Sequence, residues 1–186
     1  PRFFWAFFLS LKKIKKDINK KMKFFLSLIF LLIGINAYAH QPVLNEQNHI
    51  TFDDPYLIEE PEVSKAIYST LKGKPHIFKI SSSKDFKFYV GITVPKIEGC
   101  NQFEKFSFQV LDYNKKIIKN FDGESFEWWP WYEKYGKKWY WVGPEFGSNF
   151  MSNNTFDAGD YFIKIFNKKN KENYFLATGD IEKFGP

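Results

Sequence analysis

The chain has 186 residues, with 27 basic and 21 acidic side chains, a formal net charge of +6 and 21% aromatic residues. Residues 1–39 carry eight of the basic residues and one of the acidic ones, which leaves 19 basic against 20 acidic from His40 onward, a net of −1. The basic balance that would invite nucleic-acid binding therefore belongs to the first 39 residues. Nucleic acid is excluded as the expected partner of the rest. One cysteine, Cys100, excludes an internal disulfide.

Met22 opens the stretch MKFFLSLIFLLIGINAYAH. A short positive start (Met22, Lys23), an apolar run from Phe24 to Ile35 and the small-residue site Ala37-Tyr38-Ala39 form the pattern of a cleaved export signal. The apolar run is short for a membrane span, so membrane contact is expected only through this segment before cleavage. Residues 1–21 read as an upstream extension and 22–39 as the signal peptide. Residues 40–186 read as one domain, large enough to bury a core without staples. The expected location is periplasmic or extracellular.

Ile50 and Phe52 suit the start of an edge strand, and Tyr56-Leu57-Ile58 a short strand. From Pro61 the sequence reads PEVSKAIYSTLKG. Pro61 and Glu62 suit a first helical turn, Val63, Ala66, Ile67 and Leu71 fall at helical spacing, and Gly73 can end the element. A short helix is therefore predicted over 61–71. Alternating runs follow at 76–81, 86–94, 106–112, 117–122, 160–167 and 174–178. Each places one face in a core and the other in solvent. Several short strands without intervening helices predict an all-β fold, an antiparallel two-sheet sandwich of jelly-roll type.

Five of the six tryptophans lie in the stretch FDGESFEWWPWYEKYGKKWYWVGPEFGSNF, residues 121–150. Trp and Tyr offer flat apolar faces with a polar edge, and sugar rings have apolar C–H faces that stack on them. Strand alternation divides these rings between two faces, and one set is expected to fill the core. An outward set would form a binding surface. Trp129, Trp131, Tyr132 and Trp139 are the candidate stacking residues, with Glu127 and Glu133 as hydrogen-bond partners.

A second constellation centres on His40. Cleavage after Ala39 would make it the mature N-terminus, where an amine and its own imidazole can chelate one metal. His49 or His76 would add a third nitrogen, a donor set that suits copper. This arrangement resembles the histidine brace of copper proteins, including lytic polysaccharide monooxygenases, and copper is the one cofactor that it would imply. The carboxylates Glu59-Glu60, Glu127 with Glu133, and Asp157 with Asp160 have no diagnostic spacing. The sequence has no EF-hand loop, HExxH, GxSxG or phosphate-binding glycine loop.

The C-terminal run Asp157-Ala158-Gly159-Asp160-Tyr161-Phe162-Ile163-Lys164-Ile165, followed by Asn173-Tyr174-Phe175-Leu176-Ala177, resembles the ending of bacterial pre-peptidase C-terminal domains. That resemblance implies a secreted β-sandwich module that binds or assists rather than catalyses. Asp160 and Asn173 depart from the family's usual small residue and glycine. The strings HQPVL, PEVSKAIYSTLKG, FYVGITVP, FDGESFEW and WVGPEF are similar to a family of small exported bacterial proteins, which implies export and a sandwich and brings no site residues. The expected function is a non-catalytic binding module for carbohydrate or another cell-envelope component. The alternatives are a copper-binding protein and a protein-contact module of an envelope assembly.

Overall fold

In the computed structural model, residues 41–100 and 102–183 are described here, all of them in the compact unit 39–186. His40 and the expected extension and signal segments lie outside the described residues. The strands in chain order are β1 (Gln41–Leu44), β2 (Tyr56–Ile58), β3 (Lys65–Lys72), β4 (His76–Ser82), β5 (Phe86–Phe88), β6 (Val90–Pro95) and β7 (Ser107–Leu111). They continue with β8 (Ile117–Phe121), β9 (Trp129–Glu133), β10 (Lys138–Phe146), β11 (Asn154–Phe156), β12 (Gly159–Phe166) and β13 (Lys171–Thr178). One sheet has the order β1-β3-β13-β6-β10-β9, a second β2-β4-β12-β7-β8, and β11-β5 form a short ribbon. Pairing is antiparallel except for β1 with β3 and β2 with β4.

The fold is all-β and sandwich-like, and the alternation of the sequence explains why. In the six-stranded sheet Ile67, Leu71, Tyr174, Leu176, Val90, Ile92 and Val94 are buried. In the five-stranded sheet Ile58, Phe78, Ile80, Ile163, Ile165, Phe108 and Val110 are buried, and both sets belong to one core cluster. Non-local pairing of period-2 strands is what brings the two apolar faces together.

The helix predicted over 61–71 is a correction: Lys65–Lys72 is strand β3, and the described residues contain no helix. The same residues satisfy a period of two, since Ile67, Ser69 and Leu71 are buried while Thr70 and Lys72 are exposed. β3 pairs with β13 over eight residues and with β1 on its other side. Strand pairing on both edges outweighs the weak local preference for a helical turn. Gly73, at φ +91°, closes the strand into the turn before β4 rather than capping a helix.

Ile50 and Phe52 do not form a strand. Phe52 instead lies on the outward side of the five-stranded sheet, its ring edge-on to Phe162 with centroids 5.3 Å apart, beside Ile77 and Leu111. The run 86–94 divides at Tyr89. Its first half pairs with β11, and its second half enters the six-stranded sheet.

Candidate functional site

The hairpin of β9 and β10 distributes the aromatic stretch. Register places Trp131 opposite Tyr140, Trp129 opposite Val142 and Tyr132 opposite Trp139. Side chains opposite one another share a face, so Trp129, Trp131 and Tyr140 stand on one side of the hairpin and Tyr132, Trp139 and Trp141 on the other. β9 is an edge strand, which is why Pro130 is tolerated within it.

The first set faces away from the core. The row Val142, Thr93, Phe175 and Tyr68 runs across β10, β6, β13 and β3, out of phase with the core row Ile92, Leu176 and Ile67. Rings on this outward face form a continuous file. Tyr68 meets Phe175 edge-on at 4.4 Å between centroids, and Phe175 meets Tyr140 edge-on at 5.4 Å. Tyr140 meets Trp131 at 6.1 Å, Trp131 meets Phe150 at 4.9 Å, and Phe150 meets Trp129 at 6.2 Å. Tyr68, Phe175, Tyr140, Trp131 and Phe150 are half-buried and Trp129 is 37% exposed. Thr93 and Val142, between the rings, are buried although they point outward. Burial raises the Tyr140 hydroxyl above its usual range, and Tyr68 and Glu133 add to the shift, so the hydroxyl stays neutral.

Phe150 reaches the file from a loop, and Glu145 on β10 holds it there. The Glu145 carboxylate accepts the backbone N–H of Asn149 at 3.0 Å, that of Phe150 at 3.3 Å and the Tyr89 hydroxyl at 3.1 Å. Asn149 and Phe150 both have positive φ, 51° and 62°, which turns successive N–H groups toward one acceptor. Gly147, at φ +137°, is required because a Cβ there would stand 2.4 Å from the Met151 carbonyl oxygen.

At the β3 end the file opens into a cleft of about 470 Å³ that includes Leu44, Gln47, Tyr68, Thr70, Lys72, Asn173 and Phe175. Thr70 donates to Asn173 Oδ1 at 2.5 Å across β3 and β13. Asn45 ties the wall of the cleft to β3, donating its backbone N–H to Tyr68 O at 2.9 Å and its amide to Ser69 Oγ at 3.2 Å.

The other candidates sit elsewhere. Tyr132 and Trp139 form a ring pair at 5.2 Å on the hairpin's reverse side. The Lys96 ammonium lies 5.5 Å from the Trp139 centroid and 4.7 Å from that of Trp141. Trp141 stacks on Phe103 at 4.9 Å and joins the core. Glu133 accepts the Tyr135 N–H at 2.7 Å and the Gly136 N–H, so its carboxylate closes the hairpin turn. Glu127 is exposed. Trp128 is core, donating its indole N–H to Gly123 O at 2.8 Å.

His49 and His76 are brought close, since the Ile77 N–H donates to His49 O at 2.7 Å. His76 is buried, with Nδ1 2.9 Å from the Tyr174 hydroxyl and Nε2 without a partner among the described residues. Burial lowers its pKa to about 4, with His49 and Lys72 adding to the shift. His49 Nδ1 lies 3.2 Å from Asp54 O. Among the described residues no group of three or more His, Cys, Asp or Glu is placed so that it could hold a metal ion.

Sequence reasoning selected Trp129 and Trp131 but not Tyr68, Phe175 or Phe150. Phe175 falls in the alternating run 174–178, which marks it only as one face of a strand, and Tyr68 falls in the segment expected to be helical. Phe150 carried no signal, because a loop delivers it.

No family model and no curated protein matches the chain. Among solved structures it is similar to the pre-peptidase C-terminal domain of a collagenase from Bacillus anthracis. The identity is 7%, the match covers 77% of this chain and 98% of that one, and the TM-score is 0.36. A second match is the catalytic domain of a GH87 alpha-1,3-glucanase in complex with nigerose, at 12% identity and a TM-score of 0.28. It covers 65% of this chain and 23% of the glucanase chain.

Proposed function

We propose that this protein is an exported, non-catalytic binding module that takes carbohydrate on the outward face of its six-stranded sheet. The observation that carries the reading is the unbroken file of ring contacts from Tyr68 through Phe175, Tyr140, Trp131 and Phe150 to Trp129. Half-buried rings that brace one another lose little freedom when a ligand arrives, which lowers the cost of ordering on binding. Their free faces suit the C–H faces of sugar rings, and the hydroxyls of Tyr68 and Tyr140 supply polar edges. A sheet face bearing this much aromatic surface is the kind of patch that marks a binding site. Export rests on the signal pattern at 22–39, and places the module among cell-envelope or extracellular glycans.

Trp131→Ala is the test. It should abolish retention on insoluble glycans such as cellulose, chitin or peptidoglycan while Tm stays within a few degrees of the parent. Trp139→Ala, on the reverse side, should still be retained. Retention of Trp131→Ala equal to that of the parent, or no retention of the parent on any glycan, overturns the reading.

A further inference from the structure

The file of rings has two unlike ends. At Trp129 and Phe150 it ends at the edge strand β9, and no described strand lies beyond it. At Tyr68 it runs into the cleft whose wall is the segment after β1, fixed to β3 by both hydrogen bonds of Asn45. Leu44 stands opposite Tyr68 on the next strand, outward and exposed. The path from Trp129 to Tyr68 crosses from β9 to β3, four strand intervals or roughly 19 Å, the length of a short oligosaccharide.

The polar groups at the walled end are neutral or cancel. Thr70 spends its hydroxyl proton on Asn173 Oδ1, which fixes the amide so that Asn173 Nδ2 remains a donor, and leaves the Thr70 oxygen as an acceptor. Neither of these two has another partner among the described residues. Gln47 adds an amide, and Glu46 and Lys72 bring opposite charges to the same cleft. A donor beside an acceptor over an apolar floor of Tyr68 and Phe175 matches a vicinal hydroxyl pair on a sugar with an apolar face. It gives no net attraction to a uronate or a phosphate.

Resting on the carbohydrate reading above, we propose that the protein binds the end of a neutral, extended β-linked glycan. The terminal sugar sits in the cleft against Thr70 and Asn173, and the following units lie over Phe175, Tyr140 and Trp131. The wall at residues 44–47 makes the site end-specific, because a chain that continued past the cleft would meet it. An extended β-linked chain of gluco configuration presents its ring faces at regular intervals, and so can reach successive rings of a file that crosses several strands.

The probe is cellohexaose, with chitohexaose in parallel, titrated untagged and with a bulky tag on either the reducing or the non-reducing end. One tagged form should bind about tenfold or more weakly than the untagged chain, which also names the seated end, and the other should bind equally. Thr70→Val and Asn173→Leu should each weaken the untagged chain about tenfold. Tm and the circular dichroism spectrum should hold, so that loss of fold is not mistaken for loss of contact. Equal binding of all three chains, with Trp131→Ala still losing binding, overturns end recognition and leaves the ring platform standing. Failure of both hexasaccharides to bind the parent overturns this proposal. If the parent is still retained on an insoluble glycan, the broader reading survives.

Discussion

The carboxylate of Glu145 accepts the hydroxyl proton of Tyr89 at 3.1 Å, and through that contact the core fixes the position of a surface ring. Tyr89 is buried, and burial, with Glu145 adding to it, holds its phenol well above the usual range and therefore protonated. The neutral hydroxyl aims the carboxylate at the backbone of Asn149 and Phe150. The loop then sets Phe150 against Trp131 and Trp129.

Glu145→Ala should free that loop without unfolding the protein. Hydrogen bonds to a charged acceptor are worth about 1.5–3 kcal/mol each, and part of that is recovered as water reaches the loop. Tm should fall by several degrees and glycan affinity by about tenfold. Quenching of tryptophan fluorescence by acrylamide should increase as Phe150 leaves the indoles. Unchanged affinity would show that Phe150 is no part of the platform.

The outward file of rings and the reverse side of the β9–β10 hairpin should respond differently. Tyr68→Ala and Phe175→Ala should each weaken glycan binding about threefold to tenfold, in line with the ~0.5–1.5 kcal/mol that an aromatic pair contributes beyond its buried area. Trp139→Ala should leave affinity within about twofold, because its ring faces Tyr132 and Lys96 instead. Calorimetric titration of the three variants decides it. Equal losses in all three would show that binding is not confined to the outward file.

Gly143 is a packing requirement rather than a flexible point. A Cβ there would stand 2.3 Å from Cη2 of Trp128, whose indole N–H is bonded to Gly123 O. Gly143→Ala should destabilise the fold by about 1–3 kcal/mol through overpacking. A urea denaturation midpoint reads this directly, and Gly143→Ala combined with Trp128→Phe should recover part of the loss.

Acid should weaken the sandwich in two separate windows. His76 is held neutral between the sheets against Tyr174, with a folded pKa of about 4 against an unfolded value of 6.5. A depressed imidazole means that the unfolded chain takes up the proton first. Stability is therefore full above pH 6.5 and declines as pH falls from 6.5 toward 4. Asp160, lowered below 3.8 by Lys79 and Ser81, loses its contribution only at still lower pH. In the His76→Leu variant the decline between pH 6.5 and 4 should flatten, although the absolute stability drops because the Tyr174 hydroxyl loses one of its hydrogen-bond partners. Denaturation midpoints at pH 7.5, 5.5 and 4.5 measure the slope. An equal slope in parent and variant would place the titrating group elsewhere.

The β3 segment shows how far local pattern reaches. Its residues fit a helix and a strand almost equally, since Ile67 and Leu71 are four apart and also an even number apart. Only its neighbours decided between them. β1 and β13 flank it in the sheet, and β13 lies about a hundred residues away in the chain. The runs at 76–81, 106–112 and 160–167 needed no such help, because β-branched and aromatic residues dominate them and no helical spacing competes.

By itself the sequence determined that the chain is β-rich and that the rings of the 121–150 stretch divide between two faces. Those follow from the fixed two-residue period of a strand, a local property. Only the tertiary structure decided which strands stand side by side, and hence that Tyr68, Phe175, Tyr140 and Trp131 line up. It also decided that Glu145 swings Phe150 onto them and that Glu133 serves a turn. Sheet order and loop direction are set by burial summed over the whole core, and no short window of residues contains that sum.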